Sequence, residues 1–196
     1  LETSLNRIGV FMNTLALELK KIPTWAKDAC LVVGSSLLIA LFAHVSIPLP
    51  FTPVPLATQG GLILLLSVLL GSRRAAAAVV LFLAQGASGL PVFANGAAGF
   101  GLLIGPRGGY LVGYLVAAYA VGKIVELFGK RTLVKAFIAM LAGNALLFLF
   151  GTAWLSGFVG GVERALLLGV VPFILGDLFK IALGLKILQW IGWTKS

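Results

Sequence analysis

Asp177 and Lys180 are the two residues of this chain whose types and spacing most clearly invite chemistry. They sit in Gly176-Asp177-Leu178-Phe179-Lys180, within an apolar run from Pro172 to Trp193. An acid and an amine three residues apart share one face of a helix. Each costs roughly 2.5–3.5 kcal/mol at the centre of a membrane helix, and less toward an end, so both must face protein, a cavity or a ligand. A carboxylate only accepts hydrogen bonds and an ammonium only donates them. Side by side they form the floor of a site for a small zwitterion-like or amide-bearing molecule. The pair could also act as acid and base, but it has neither a nucleophile nor a metal motif beside it, so the chain is not expected to be an enzyme. The bland alternative is an ion pair that serves only the fold.

The elements that position this pair belong to a membrane protein. Of 196 residues, 60% are hydrophobic and only 11% charged, with a mean hydropathy of +1.08; soluble domains lie nearer 45–50% apolar and about 25% charged. One cysteine (Cys30) leaves no intramolecular disulfide and no cysteine metal cluster, and one histidine (His44) argues against a multi-histidine site. No metal and no cofactor are expected. The net charge of +9 does not point to nucleic acid, because the basic residues gather at the ends of apolar runs rather than in a stripe interleaved with aromatics. The opening stretch is not expected to be a cleavable signal: Asn13, Thr14 and Glu18 break its apolar run, and it has no basic n-region.

Taken in order, residues 3–22 predict an amphipathic helix. Leu5, Ile8, Met12, Leu15 and Leu19 form one stripe, Asn6, Asn13 and Lys20 lie off it, and Pro23 ends it. Residues 1–25 are thus an interfacial segment, and 26–196 a membrane domain. The first span is expected at about Ala26–Val45, with a Ser36-x-x-x-Ala40 pattern that permits close helix approach, either within the chain or to a partner. Between residues 48 and 55, Pro48, Pro50, Pro53 and Pro55 forbid a helix and predict a stiff outer loop. Pro55 is expected to open a second span, about Leu56–Gly71, with Gln59 one turn inside the outer mouth. Ser72-Arg73-Arg74 reads as a tight cytoplasmic turn, and a short third span as about Ala75–Gly89.

Residues 86–109 are apolar yet too rich in Gly and Pro for a regular helix. Irregular backbone at membrane depth survives only where protein buries it or it lines a cavity. A lid or re-entrant loop between the third and fourth spans would place Phe93, Asn95 and Tyr110 near a ligand. The fourth span is expected at about Tyr110–Phe128. The fifth follows at about Leu133–Trp154, with Asn144 at mid-span as a candidate interhelical hydrogen bond. A short outer helix or loop should occupy 157–171, before a sixth span from Pro172 to about Ile191. With the N-terminus inside, Arg7, Lys20, Lys21, Lys27, Arg73, Arg74, Lys123, Lys130, Arg131, Lys135, Lys186 and Lys195 fall on the cytoplasmic side and only Arg107 and Arg164 outside. Twelve against two sets the orientation, and the site then opens outward. The fold class is therefore all-α: six transmembrane helices, an N-terminal amphipathic helix and a Gly/Pro-rich outer loop between helices 3 and 4.

Familiar catalytic signatures are missing. Gly129-Lys130-Arg131 lacks the earlier glycine and the hydroxyl of a P-loop, and Gly99-x-Gly101 reaches Gly105 at the wrong spacing for a dinucleotide fingerprint. There is no His-Glu-x-x-His and no nucleophile elbow.

Four motifs in order resemble the BioY family, the biotin-binding S components of energy-coupling-factor (ECF) transporters. They are Ile47-Pro48-Leu49-Pro50-Phe51-Thr52-Pro53-Val54-Pro55, Gly89-Leu90-Pro91-Val92-Phe93, Gly105-Pro106-Arg107-Gly108-Gly109-Tyr110-Leu111, and the Asp177/Lys180 motif. The resemblance runs from about Ile39 to Lys186. It implies high-affinity capture of biotin outside a bacterial plasma membrane, with a transmembrane T component and cytoplasmic ATPase subunits as partners. A solitary biotin transporter, or an S component for another vitamin, are the alternatives. It also implies that the family's last-helix Asp and Lys fall on Asp177 and Lys180, facing the ureido group, the carboxylate or another ligand oxygen. Asn95 and Gln59 are the next candidates, as amides able to match the ureido group, and Phe93 and Tyr110 could pack on the bicyclic ring. Two departures stand out. Arg107 replaces the family's Thr, a change expected to matter little if Arg107 faces solvent. The hydroxyl of Pro-x-Thr-x-Gln has moved by one position to Thr58, turning it about 100° around a helix and away from the site.

Overall fold

The computed structural model describes residues 23–129 and 131–195. The amphipathic helix expected at 3–22 and Lys130 lie outside the described residues. By its internal contacts the chain divides into Leu1–Leu31 and Val32–Ser196. The first unit supplies the opening turns of helix α1 (Thr24–His44), whose start is marked by Ala26 N–H donating to the Pro23 carbonyl.

The second unit holds the rest. A two-residue pairing, β1 (Ser46–Ile47) with β2 (Leu56–Ala57), is antiparallel and sets Ser46 opposite Ala57 and Ile47 opposite Leu56. It closes the proline-rich loop into a hairpin. Helices α2 (Gln59–Leu70), α3 (Ser72–Ala87), the short α4 (Gly101–Ile104), α5 (Gly108–Phe128), α6 (Leu133–Val159), α7 (Val162–Gly169) and α8 (Ile174–Trp190) follow. Helix α5 packs on α2, α3 and α6, and α8 packs on α2 and α6.

Three helices, α1, α5 and α6, are long and apolar enough to cross a membrane; α7 and α8, bent by 50° at their junction, make a fourth if counted as one broken span. Helix α2 is apolar but has 12 residues, a rise of about 18 Å against a hydrocarbon core of about 30 Å. The outward surface is apolar to a degree a soluble protein does not tolerate: Leu41, Leu127, Leu149, Leu175, Phe179 and Trp190 all stand exposed.

Several boundaries differ from expectation for identifiable reasons. Pro55 does not open a helix, because Leu56 and Ala57 pair with β1 first and α2 begins at Gln59. Ser72-Arg73-Arg74 is not a separate turn. Gly71, at φ +80°, makes the whole corner, and α3 begins at Ser72. Glu126 of α5 supplies the cap, its carboxylate accepting from Ser72 N–H at 2.7 Å and from Ser72 Oγ at 2.9 Å. Ser36 and Ala40 are buried inside the chain, and Ser36 Oγ donates to Gln85 Oε1 at 2.9 Å. That small-residue pattern therefore serves internal packing.

The lid over 88–107 is irregular, with a 3-10 turn at Ala94–Gly96 and α4 as its only helical pieces. Gly99 N–H ties it to the Gly86 carbonyl of α3 at 2.8 Å, and side chains hold it at three more points. Ser46 Oγ donates to Asn95 Oδ1 at 2.8 Å. Trp154 Nε1 donates to the Gly105 carbonyl at 3.0 Å, and Arg107 Nε to the Pro53 carbonyl at 2.7 Å. Below it, a Cβ at Gly109 would collide with the Trp154 side chain and lie 2.5 Å from the Phe150 carbonyl oxygen. Glycine here lets α5 lie directly on α6. Gly109→Ala is accordingly expected to cost about 1–3 kcal/mol as overpacking in thermal unfolding of the detergent-solubilised protein. Gly101→Ala, where nothing lies within 4 Å, should be close to neutral.

Candidate functional site

The site is assembled from the hairpin, α2, the lid, α5, α6 and α8. On α8, Lys180 extends over α2 at Gly61, where a Cβ would lie 2.6 Å from Lys180 Cβ and 3.1 Å from its Cδ. Only a glycine lets the stem cross there. The ammonium then donates to Asp177 Oδ1 at 2.7 Å and to the Ala57 carbonyl of β2 at 2.7 Å. The side chains of Lys180 and Asp177 are 16% and 15% exposed, so each charge is neutralised by the other in a poorly hydrated place. Two of the three ammonium donors are used. Among the described residues no donor meets Asp177 Oδ2.

Two adjoining hollows lie at this level. One is lined by Gln59, Phe93, Leu102 and Arg107, the other by Asn144, Phe173, Asp177 and Lys180. They share Val54, Pro55, Ala57, Tyr110 and Tyr114 as common walls. Each holds a cavity volume of about 40 Å³, well short of the roughly 300–1,000 Å³ of an open small-molecule site.

Of the six residues singled out from sequence, five meet at these hollows. Gln59 is buried, and its Nε2 donates to the Tyr114 hydroxyl at 3.2 Å while its Oε1 has no partner. Whichever way that amide is turned, one polar end is held by Tyr114 and the other is left for something else. Phe93 is buried edge-on against Phe82, with ring centroids 5.4 Å apart, and its ring occupies the space a side chain at Gly86 would need. Tyr110 lies against Gly151 and Gly169 and donates from its hydroxyl to the Gly169 carbonyl at 2.7 Å. That bond locks the ring as a wall.

Asn95 stands apart. Its side chain is exposed and bonded to Ser46, at φ +62°, a left-handed conformation that Asn tolerates. In this structure it ties the lid to the hairpin and lines neither hollow. Thr58 is also outside, its hydroxyl donating to the Phe42 carbonyl at 2.7 Å.

Sequence reasoning missed Tyr114, which nothing but its helical register distinguishes from other tyrosines. It assigned Asn144 to an interhelical hydrogen bond. Instead Asn144 has no hydrogen bond among the described residues and lines the hollow beside Asp177 and Lys180. Arg107 does not face solvent: it is partly buried, lines the first hollow, and is pulled below the ordinary guanidinium pKa by desolvation. An arginine nevertheless keeps its charge in a protein.

Removing one member of the ion pair leaves the other unmatched where water is scarce. Lys180→Met should therefore destabilise the ligand-free protein more than the double change Asp177→Asn/Lys180→Met. A double-mutant cycle of unfolding should return a coupling of about 0.5–3 kcal/mol, and additive losses would show that the charges do not interact.

The BioY family profile matches residues 12–193. The biotin transporter of Thermotoga maritima is 36% identical over 158 residues, covering 78% of this chain and 91% of the relative. A probable biotin transporter of Pyrococcus horikoshii is 32% identical, covering 80% and 91%. A biotin transporter of Lactococcus lactis subsp. cremoris is 31% identical, covering 85% and 92%. The chain is also similar to the crystal structure of the S-component for biotin from an ECF-type ABC transporter, with a TM-score of 0.78, 26% identity, and coverage of 87% of this chain and 94% of that one.

Proposed function

The chain belongs to the BioY family, and on that premise we propose that it takes up biotin as the membrane-embedded S component of an ECF-type transporter, capturing the vitamin from the outer side. The family is one of transporter S components and not of enzymes. The observation that carries the reading is the unspent bonding capacity around the two hollows. Asp177 Oδ2 and Gln59 Oε1 are acceptors without donors among the described residues, and Lys180 has one donor left.

Biotin's ureido ring offers two N–H donors and one carbonyl acceptor. Its thioether ring and aliphatic chain are apolar, and its tail ends in a carboxylate. Asp177 accepts from the ureido N–H groups, and Lys180 donates to a ligand oxygen through a charge-assisted bond. Gln59 meets a remaining N–H, while Phe93 and Tyr110 pack on the bicyclic ring. Asn95 contributes through the lid, by holding it to the hairpin.

We propose six membrane-embedded segments, α1, α2, α3, α5, α6 and α8, with α2 too short to span the hydrocarbon core unaided, in a bacterial plasma membrane with the N-terminus cytoplasmic. The basic residues at the α2/α3 corner, Arg73 and Arg74, and at the start of α6, Arg131 and Lys135, support that orientation. Energy for uptake comes from a transmembrane T component and cytoplasmic ATPase subunits, since the chain carries no P-loop of its own. Co-purification with ATPase subunits would support the coupled reading, and uptake by the chain alone would favour a solitary carrier.

The direct test is titration of the purified protein with biotin, with thiamine and riboflavin as competitors. Biotin should bind and neither competitor displace it; displacement by another vitamin would assign the site elsewhere. Asp177→Asn and Lys180→Ala should each weaken binding at least tenfold, about 1.4 kcal/mol, in protein that still folds. Unchanged affinity in both would remove the pair from the site.

A further inference from the structure

Asn144 lies near the middle of α6, is 8% exposed, and has no hydrogen bond among the described residues. An amide within a membrane helix ordinarily bonds to a neighbouring helix, because hydrocarbon offers it nothing. The packing of α6 turns this one elsewhere. A Cβ at Gly143 would collide with Val121 of α5 and come within 2.8 Å of Leu64 of α2. Leu147, on the same face as Asn144, lies against Gly113 of α5. These close approaches fix the rotation of α6, and Asn144 lines the hollow that also contains Asp177, Lys180 and Tyr114.

The polar groups left open at the site can be matched to a cyclic urea. Asp177 Oδ2 and Gln59 Oε1 are acceptors for its two N–H groups. Its carbonyl oxygen, with two lone pairs, needs donors in return. Lys180 has one donor left, and the Asn144 amide has both of its own. We infer that Asn144 donates to the ureido carbonyl oxygen and is the residue by which the site selects a neutral urea over a head that carries N–H groups in place of that oxygen. Charge points the same way. Asp177 and Lys180 already cancel at 2.7 Å, so a neutral head completes the hollow, whereas a cationic head leaves an unmatched charge where water is scarce. A donor facing donors adds to that penalty.

The inference rests on the biotin reading, and the experiment separates the two. The probes are biotin and 2-iminobiotin, whose cyclic guanidine is protonated at neutral pH and replaces the carbonyl oxygen with N–H donors. Affinities for both are measured at neutral pH on the unaltered protein, Asn144→Leu and Asn144→Asp, together with thermal unfolding of each protein without ligand. The unaltered protein should prefer biotin by tenfold or more. Asn144→Leu should weaken biotin by tenfold or more and iminobiotin far less. Asn144→Asp should strengthen iminobiotin, whose cation the added carboxylate meets. The ligand-free Tm of Asn144→Leu should hold or rise, because an unbonded amide gives way to an apolar group of similar size. A Tm lowered by several degrees would show that the amide is spent inside the protein and would overturn the inference. Unchanged biotin affinity in Asn144→Leu, equal losses for the two ligands, or no gain for iminobiotin in Asn144→Asp would each overturn it too, while leaving the biotin reading in place. If the unaltered protein binds neither ligand, the biotin reading itself fails and the inference falls with it.

Discussion

A single ammonium group holds the site together. Lys180 reaches from α8 across a glycine of α2 to bond at once to the carboxylate three residues before it and to the Ala57 carbonyl of the hairpin. In water such a contact is worth little, but in a poorly hydrated interior neither charge is affordable without the other. The pair therefore constrains more than itself. It fixes the rotation of α8, keeps residue 61 a glycine, and anchors the end of the proline-rich hairpin beside the hollow. A group that closes three elements and still has a donor left, next to a carboxylate with an oxygen left, suits a ligand better than it suits a purely structural pin.

Around that fixed point the chain builds walls by bringing backbones close together. Tyr110 occupies space that side chains at Gly151 and Gly169 would take, and Phe93 does the same over Gly86. Each ring is thereby held by packing, and Tyr110 also by its bond to Gly169. Phe93 pins the lid at one place by packing, and the rest of the lid is held differently. It has little regular structure and is tied by a few polar contacts, Asn95 with Ser46, Trp154 with Gly105 and Arg107 with Pro53. Rigid walls beneath a cover fastened at a few points suit a binding site: the walls give specificity, and opening the cover breaks only a few bonds.

Much of this was legible in the sequence because its signals are local. The glycines and prolines of residues 86–109 punctuate the chain. Two opposite charges in an apolar run are conspicuous, and the starts of α5 and α6 lie within two residues of where the pattern puts them. What escaped depends on distant partners. The delayed start of α2 reflects a strand pairing, and the immediate start of α3 a carboxylate 54 residues away. Arg107 reads as an exposed loop cation until the Pro53 carbonyl, also 54 residues away, is seen to draw it inward. Asn95 has the right chemistry for a ligand, yet Ser46 claims it. Asn144 has the right chemistry for a helix pair, yet it lines the hollow. An amide's partner is set by tertiary placement, which local pattern does not encode.

The account stands most directly on where the vitamin lies. A structure of the protein with biotin bound should put a ureido nitrogen within about 2.7–3.2 Å of the Asp177 carboxylate, between the walls formed by Tyr110 and Tyr114. Biotin found elsewhere, with Asp177 and Lys180 still bonded only to each other and to Ala57, would contradict it.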